Sequence, residues 1–360
     1  IPIFTRHDVA QDHDWLFMQR NMSFTKNLNL KDKYCNHPYN TISINGIGDV
    51  FVCICQAWLP ISIGKIWDFK NLNEIVNTEK SLAIQKSIED GSYRYCDNTA
   101  CSIIQENNLI DSKPKSIVNW INFSLDESCN LSCPSCRKEF RFVKESSPEY
   151  TNKIYQVNHI IKLIEQHQSN LKFTVSGDGD PFASLIYRHF LSSLDLTDNK
   201  NIEIELVTNG ILIKDFWNKL EKIHNNLVRT KISFDAGSDV IYESVRRGGN
   251  WNKFLDSVKY LVAWKKQSKS NMTLTANFVV QRANYKDMKN YVELCTELDF
   301  DEINFQKLQD WGTFEKFDDE NIFSKTNTSY TDFLKTISDP FFKTAKVNFT
   351  NMTDFFNESI

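Results

Sequence analysis

The sequence predicts an α/β protein built from parallel βα units, preceded by a small cysteine-rich segment. Three observations carry that expectation. From about Ser116 onward, six short β-rich runs alternate with stretches of helical periodicity, the pattern of strands joined by crossover helices. Motifs rich in glycine, asparagine and cysteine follow those runs directly, where the C-terminal ends of parallel strands present functional loops. Finally, five cysteines precede the first run and three follow it at once, while Cys295 stands apart.

Taken in order, residues 1–115 read as short strands, turns and one helix, with a helical stretch containing Leu72, Ile75 and Val76. Asp111-Ser112-Lys113-Pro114-Lys115 reads as a linker. The β-rich runs are 117–123, 171–175, 202–207, 230–234, 273–280 and 302–305. Between them, Ile154, Val157, Ile161 and Ile164 share one helical face. Phe254, Val258, Leu261 and Val262 share another, and Met288, Val292, Cys295 and Leu298 a third. Cys295 on that stripe reads as core packing. Beyond Trp311 the chain is polar and phenylalanine-rich and reads as a helical extension. The expected division is 1–115, 116–310 and 311–360. Periodicity does not decide whether the parallel sheet is open or curled.

With 360 residues, 41% of them hydrophobic and 24% charged, the chain has the composition of a soluble globular protein with a substantial core. A net charge of −4 gives no sign of a nucleic-acid surface. No apolar stretch is long enough to span a membrane. The opening residues lack the layout of a secretion signal, so a cytoplasmic setting is expected. There, nine clustered cysteines point to metal or redox chemistry rather than disulfides.

Directly after the first run comes Cys129-Asn130-Leu131-Ser132-Cys133-Pro134-Ser135-Cys136. Three thiolates in one loop suit a four-iron cluster with one iron left open, whereas a structural zinc ion wants a fourth ligand nearby. This C-x3-C-x2-C loop resembles the signature of the radical S-adenosylmethionine (SAM) enzymes, over roughly residues 116–310. The resemblance implies a partial (β/α)6 TIM-type barrel and a [4Fe-4S] cluster on Cys129, Cys133 and Cys136. It further implies that the open iron chelates SAM, whose reductive cleavage yields a 5′-deoxyadenosyl radical that abstracts hydrogen from a substrate. Ser135 stands where the family usually has an aromatic residue against the adenine.

After the second run, Ser176-Gly177-Asp178-Gly179-Asp180-Pro181 resembles the family's Gly-Gly-Glu-Pro motif. Glycines admit a close backbone approach and a carboxylate receives an ammonium, so Ser176, Gly177, Gly179 and Asp180 are candidates for the methionyl amine of SAM. Thr208-Asn209-Gly210 after the third run places Asn209 at the SAM pocket. Ser233 and Asp235, two residues apart at the end of the fourth run, are expected on one face. By similarity they contact ribose, carboxylate or substrate, and Asn277 in the fifth run faces the ribose. Arg246 or Arg247 would suit the SAM carboxylate, and Gln306 and Lys307 the adenine side.

Upstream, Cys35, Cys53, Cys96 and Cys101, with Cys55 as a spare, suit a closed four-thiolate site for zinc or an iron–sulfur cluster. The spacing C-x12-G-x4-C with a later pair resembles the SPASM or twitch extension of radical SAM enzymes, placed here ahead of the barrel. That likeness implies a second, auxiliary [4Fe-4S] cluster and, by analogy, a peptide or protein substrate, with a small molecule such as a sugar or nucleoside, or a non-catalytic metal-binding barrel, as the alternatives. A one-electron donor such as flavodoxin or ferredoxin is the implied partner.

Overall fold

The computed structural model describes residues 30–175 and 178–358. Its strands are β1 (Thr41–Asn45), β2 (Asp49–Phe51), β3 (Gly64–Lys65), β4 (Trp120–Ser124), β5 (Leu171–Val175), β6 (Ile202–Thr208), β7 (Leu227–Ser233), β8 (Thr273–Val280) and β9 (Glu302–Lys307). β5 and β8 coincide with their expected runs. β7 begins three residues earlier than expected, because Arg229 and Lys231 pair with neighbouring strands and lower the local hydropathy without ending the strand. Within the described residues two compact units form, one of 30–126, 144–175 and 193–203, the other of 127–143, 178–192 and 204–358.

In the first unit the cysteine-rich segment extends the sheet. β1 runs parallel to β4, with Thr41 opposite Trp120 and Asn45 opposite Ser124, and β5 lies parallel on the other side of β4. β2 and β3 then add antiparallel. The β1–β2 turn needs its glycine: Gly48 has φ +83, and a Cβ there would meet the Trp67 ring at 2.3 Å. The helix Pro148–Glu165 starts on Ser147, whose hydroxyl accepts from the Tyr150 N–H, with proline in the first turn. It buries Val157, Ile160, Ile161 and Ile164, whereas Ile154 of the expected stripe is half-buried. Lys153 on this helix is buried too. Its ammonium donates to the carbonyls of Gly46 (3.1 Å) and Leu125 (2.7 Å), tying the ends of β1 and β4 together.

The second unit holds β6, β7, β8 and β9 in parallel register, with Ser233 opposite Asn277 and Asn277 opposite Asn304. Alternation sends Ile232, Ala276, Phe278, Ile303 and Phe305 to one face. There the helices Trp251–Ser268 and Met288–Glu297 cover them, Phe254 meeting Phe234 at 4.7 Å and Tyr291 meeting Phe278 at 4.9 Å. Cys295 is fully buried on the second of these helices. The outer edge of β9 is closed by the segment around Asn348, which exchanges backbone hydrogen bonds with Ile303 (2.9 Å) and Phe305 (2.8 Å). Phe305, Phe349 and Phe356 stack there, and among the described residues after Trp311 short helices alternate with turns. The architecture is mixed α/β with a largely parallel sheet, consistent with the expected partial barrel.

Candidate cluster and cosubstrate site

All three cysteines of the C-x3-C-x2-C loop sit in the second unit, on a loop held shut at its ends. The Cys129 N–H donates to the Arg141 carbonyl (3.1 Å), the Val143 N–H to the Ser128 hydroxyl (2.8 Å), and Arg137 to the Glu127 carbonyl (2.6 Å). Between them the N–H groups of Cys136 and Arg137 both turn back to the Cys133 carbonyl. Cys129 and Cys133 are buried, whereas Cys136 is exposed.

Each sulfur has a donor beside it. The Leu131 N–H (3.4 Å) and the Asn209 amide (3.7 Å) approach Cys129, Arg246 approaches Cys133 (3.8 Å), and Arg137 approaches Cys136 (3.8 Å). Such donors stabilise thiolates, the form that binds iron. Burial pushes the Cys129 thiol up to about 12, with the Asp180 charge adding to it. Cys133 is also raised, mainly by burial, with Arg246 opposing. A metal held by these sulfurs would displace protons that burial otherwise keeps on them.

Asp180 is buried, 1% exposed, and both its carboxylate oxygens are engaged by the protein. One accepts from the N–H groups of Phe182 (2.9 Å) and Ala183 (3.2 Å). The other accepts from the Thr208 hydroxyl (2.8 Å) and the Asn209 N–H (2.7 Å). Asp180 thus locks its own turn to the loop after β6, and Asn209 in turn reaches Cys129 and Asn130. Four protein donors occupy the carboxylate that sequence reasoning offers to an ammonium group. Gly179 is half-buried beside it, while Ser176 and Gly177 lie outside the described residues.

Asp235 does not continue the alternation of β7. The strand ends at Ser233, and Asp235 turns into the left-handed region at φ +59, a rare conformation for a residue with a Cβ. Its carboxylate is buried, accepting from the Val279 N–H (2.7 Å) and pairing with Arg246 (2.7 Å). Burial raises the Asp235 carboxyl while Arg246 opposes the rise. Burial works against the Arg246 charge, but Asp235 and Cys133 hold its pKa above the ordinary guanidinium value. Ser233 and Asn277 remain on the polar face, in one row with Asn304, whose amide donates to Asn277 (3.3 Å). Lys307 instead lies over the Phe355 ring at 4.3 Å.

Sequence reasoning missed Tyr242. Its hydroxyl and the Nε of Arg246 are buried with no hydrogen-bond partner among the described residues. Both groups lie in the electrostatic surroundings of Cys133. Unsatisfied buried donors are costly unless a bound group meets them, so this end of the site fits a polar ligand beside the thiolates. The i, i+4 spacing of Tyr242 and Arg246 was the readable signal.

In the first unit Cys53, Cys96 and Cys101 are buried and Cys35 and Cys55 partly so. Burial lifts Cys35 to about 11, with Cys101 adding. Cys96 is raised by burial and then by Cys35, Cys53 and Cys101 together, and Cys55 adds to Cys53 and Cys101. The five thiols therefore lie within electrostatic reach of others in the group, and a positively charged centre would relieve them. Among the described residues no three His, Cys, Asp or Glu side chains converge on a single-ion site. Thiolates of a multi-iron cluster each take a different iron and stand farther apart.

Residues 124–295 match the model of the radical SAM superfamily. A probable GTP 3′,8-cyclase of Methanocaldococcus jannaschii is 24% identical over 184 residues, covering 50% of this chain and 56% of the relative. The GTP 3′,8-cyclase of Clostridium perfringens is 25% identical over 204 residues, covering 56% and 58%. The chain thus spans little more than half the length of these relatives. Among solved structures, Streptococcus suis SuiB bound to S-adenosylmethionine aligns with a TM-score of 0.43 and 14% identity, over 78% of this chain and 58% of that one.

Proposed function

We propose, from the premise that this chain belongs to the radical SAM superfamily, that it cleaves SAM reductively at a [4Fe-4S] cluster and takes a hydrogen atom from a substrate. The observation that supports this most is the set of three loop thiols with a donor on each, beside the unpartnered Arg246 Nε and Tyr242 hydroxyl. Bound to Cys129, Cys133 and Cys136, the cluster supplies a low-potential electron and an open iron for SAM's amino and carboxylate groups.

The chain's own residues then divide the work. Arg246, held by Asp235, places a positive charge beside Cys133 and offers its free Nε to an anionic group. Asp180 acts as a positioning residue that sets Asn209 against Cys129. Ser176, Gly177 and Gly179 are proposed to bring backbone to the methionyl amine, and Ser233 and Asn277 to meet the ribose from the polar face. In the cysteine-rich segment, Cys35, Cys53, Cys96 and Cys101 are proposed to hold an auxiliary [4Fe-4S] cluster. Its SPASM-like spacing supports a peptide substrate. The second reading is a nucleotide, favoured by the relatives named GTP 3′,8-cyclase.

Anaerobic reconstitution with iron and sulfide, followed by reductant and SAM, tests the proposal by chromatography of 5′-deoxyadenosine. The protein is expected to turn brown and release that product. Cys133→Ala should abolish release, whereas Cys96→Ala should remove only part of the iron and leave the cluster in the loop. A colourless protein that leaves SAM intact would refute the reading.

A further inference from the structure

Arg141, Arg229 and Arg246 of the second unit each pair with a carboxylate. Arg188 does not: among the described residues no acid forms an ion pair with it. It lies half-buried on the helix Leu185–Ser193, and burial lowers its pKa below the ordinary guanidinium value. Its Nε donates to the Phe182 carbonyl (2.6 Å), and its guanidinium lies 3.6 Å from the centre of the Phe216 ring. Those two contacts aim the group and leave its two terminal nitrogens without a protein acceptor. The Lys219 ammonium approaches the same ring at 4.8 Å, again with no acid paired to it. Both cations line a pocket of about 140 Å³ whose walls include Phe182, Leu191 and Leu220. The acids that act on Arg188 are engaged elsewhere, Asp180 by its four donors and Asp215 by Lys253 (3.4 Å).

We infer that this pocket binds a phosphoryl group, held between the Arg188 guanidinium and the Lys219 ammonium. The free end of a guanidinium is a planar fork that matches two oxygens of a tetrahedral anion, and the ammonium adds a point charge. A phosphoryl group has a charge of about −1.5 to −2 near neutral pH and so answers both cations, whereas a carboxylate would leave one of them unmatched. The apolar walls keep water from screening these charges fully. A volume of about 140 Å³ takes a phosphate and the first atoms of whatever bears it. It is too small for a whole drug-sized ligand, whose pockets run from about 300 Å³ upward. Phe182 presents its carbonyl to Arg188 and its N–H to Asp180 (2.9 Å), so the bound anion is tied to the same turn that sets Asn209 against Cys129. Binding there needs neither the cluster nor SAM.

Inorganic phosphate is the probe, titrated calorimetrically into the purified protein in a buffer free of sulfate and other phosphate. One saturable site is expected. Lys219 is exposed, so Lys219→Glu should leave the thermal midpoint unchanged while weakening binding about tenfold or more. Lys219→Arg should keep the affinity, and Arg188→Gln should abolish binding. Phenyl phosphate and benzoate share a ring and differ in the anion, so they test the chemical class: phenyl phosphate should bind about tenfold more tightly. Phenyl phosphate bound more tightly than inorganic phosphate assigns the pocket to the phosphoryl group of a larger molecule, and phenyl phosphate bound no more tightly assigns it to free phosphate. No saturable phosphate binding to the unaltered protein, equal affinity in Lys219→Glu, or benzoate bound as tightly as phenyl phosphate would overturn the inference.

Discussion

Replacing Asp180 with alanine should unfold the protein more readily by about 3–5 kcal/mol, and the structure says where that comes from. Removing the carboxylate strands the Thr208 hydroxyl and the Asn209 N–H, two donors that it accepts at 2.8 and 2.7 Å inside a site only 1% exposed. A buried donor left without an acceptor costs about 1–3 kcal/mol, so two account for most of the total. The turn at Phe182 and Ala183 loses a cap-like interaction worth about 1 kcal/mol more. Asp180→Asn keeps the shape and one acceptor oxygen, but its NH2 group must face one of the two donor pairs, so about 1–3 kcal/mol is expected. Urea titration of the metal-free protein reads both, as a shift of midpoint at constant slope. The ranking matters as much as the size: alanine must be worse than asparagine. An alanine variant within about 1 kcal/mol of the unaltered protein would show that the two loops do not depend on this carboxylate. In that case the role of Asp180 as the post that positions Asn209 against Cys129 would have to be given up.

Gly237→Ala should destabilise by about 2 kcal/mol or more, because its Cβ would lie 2.2 Å from the Tyr291 nitrogen and 2.4 Å from the Asn290 carbonyl carbon. A thermal midpoint unchanged from the unaltered protein would contradict that contact. Arg246→Met should cost about 3–5 kcal/mol by leaving the Asp235 carboxylate buried without its partner. Adding Asp235→Asn should recover part of the loss, and a double-mutant cycle with no coupling would argue against the pair. Burial holds His167, His189 and His224 below the ordinary imidazole pKa. The unfolded chain then takes up protons that the folded chain refuses, so stability is full above about pH 6.5 and falls as pH drops through the lowered values. His224, which sits between Trp217 and Trp264 and bonds the Trp217 carbonyl, contributes to that slope. His224→Gln should flatten the difference between denaturation midpoints at pH 7.5 and 5.5, and an unchanged slope would remove it from the account.

What could be read ahead of the structure follows from the range over which each signal acts. β8 was legible because period-two alternation is a local property, and the helix Met288–Glu297 because its stripe repeats within a few turns. The start of β7 was not, since what makes Arg229 a strand residue is its pairing with Glu205, a residue far off in sequence. The same limit divides the site. The three cysteines announce themselves by spacing alone, but two of the donors beside them come from later loops. Asn209 reaches Cys129 across 80 positions and Arg246 reaches Cys133 across 113. Asp235 shows the limit most sharply. Strand alternation put it beside Ser233 on the ligand face, yet a left-handed turn takes it to Arg246 and the Val279 N–H. A residue outside glycine adopts such a backbone where surrounding contacts hold it there. Those contacts belong to residues 246 and 279, so no reading of positions 227–237 alone could find them. The consequence for the chemistry is that Arg246 reaches Cys133 already paired with Asp235, and its Nε is left over from that pairing.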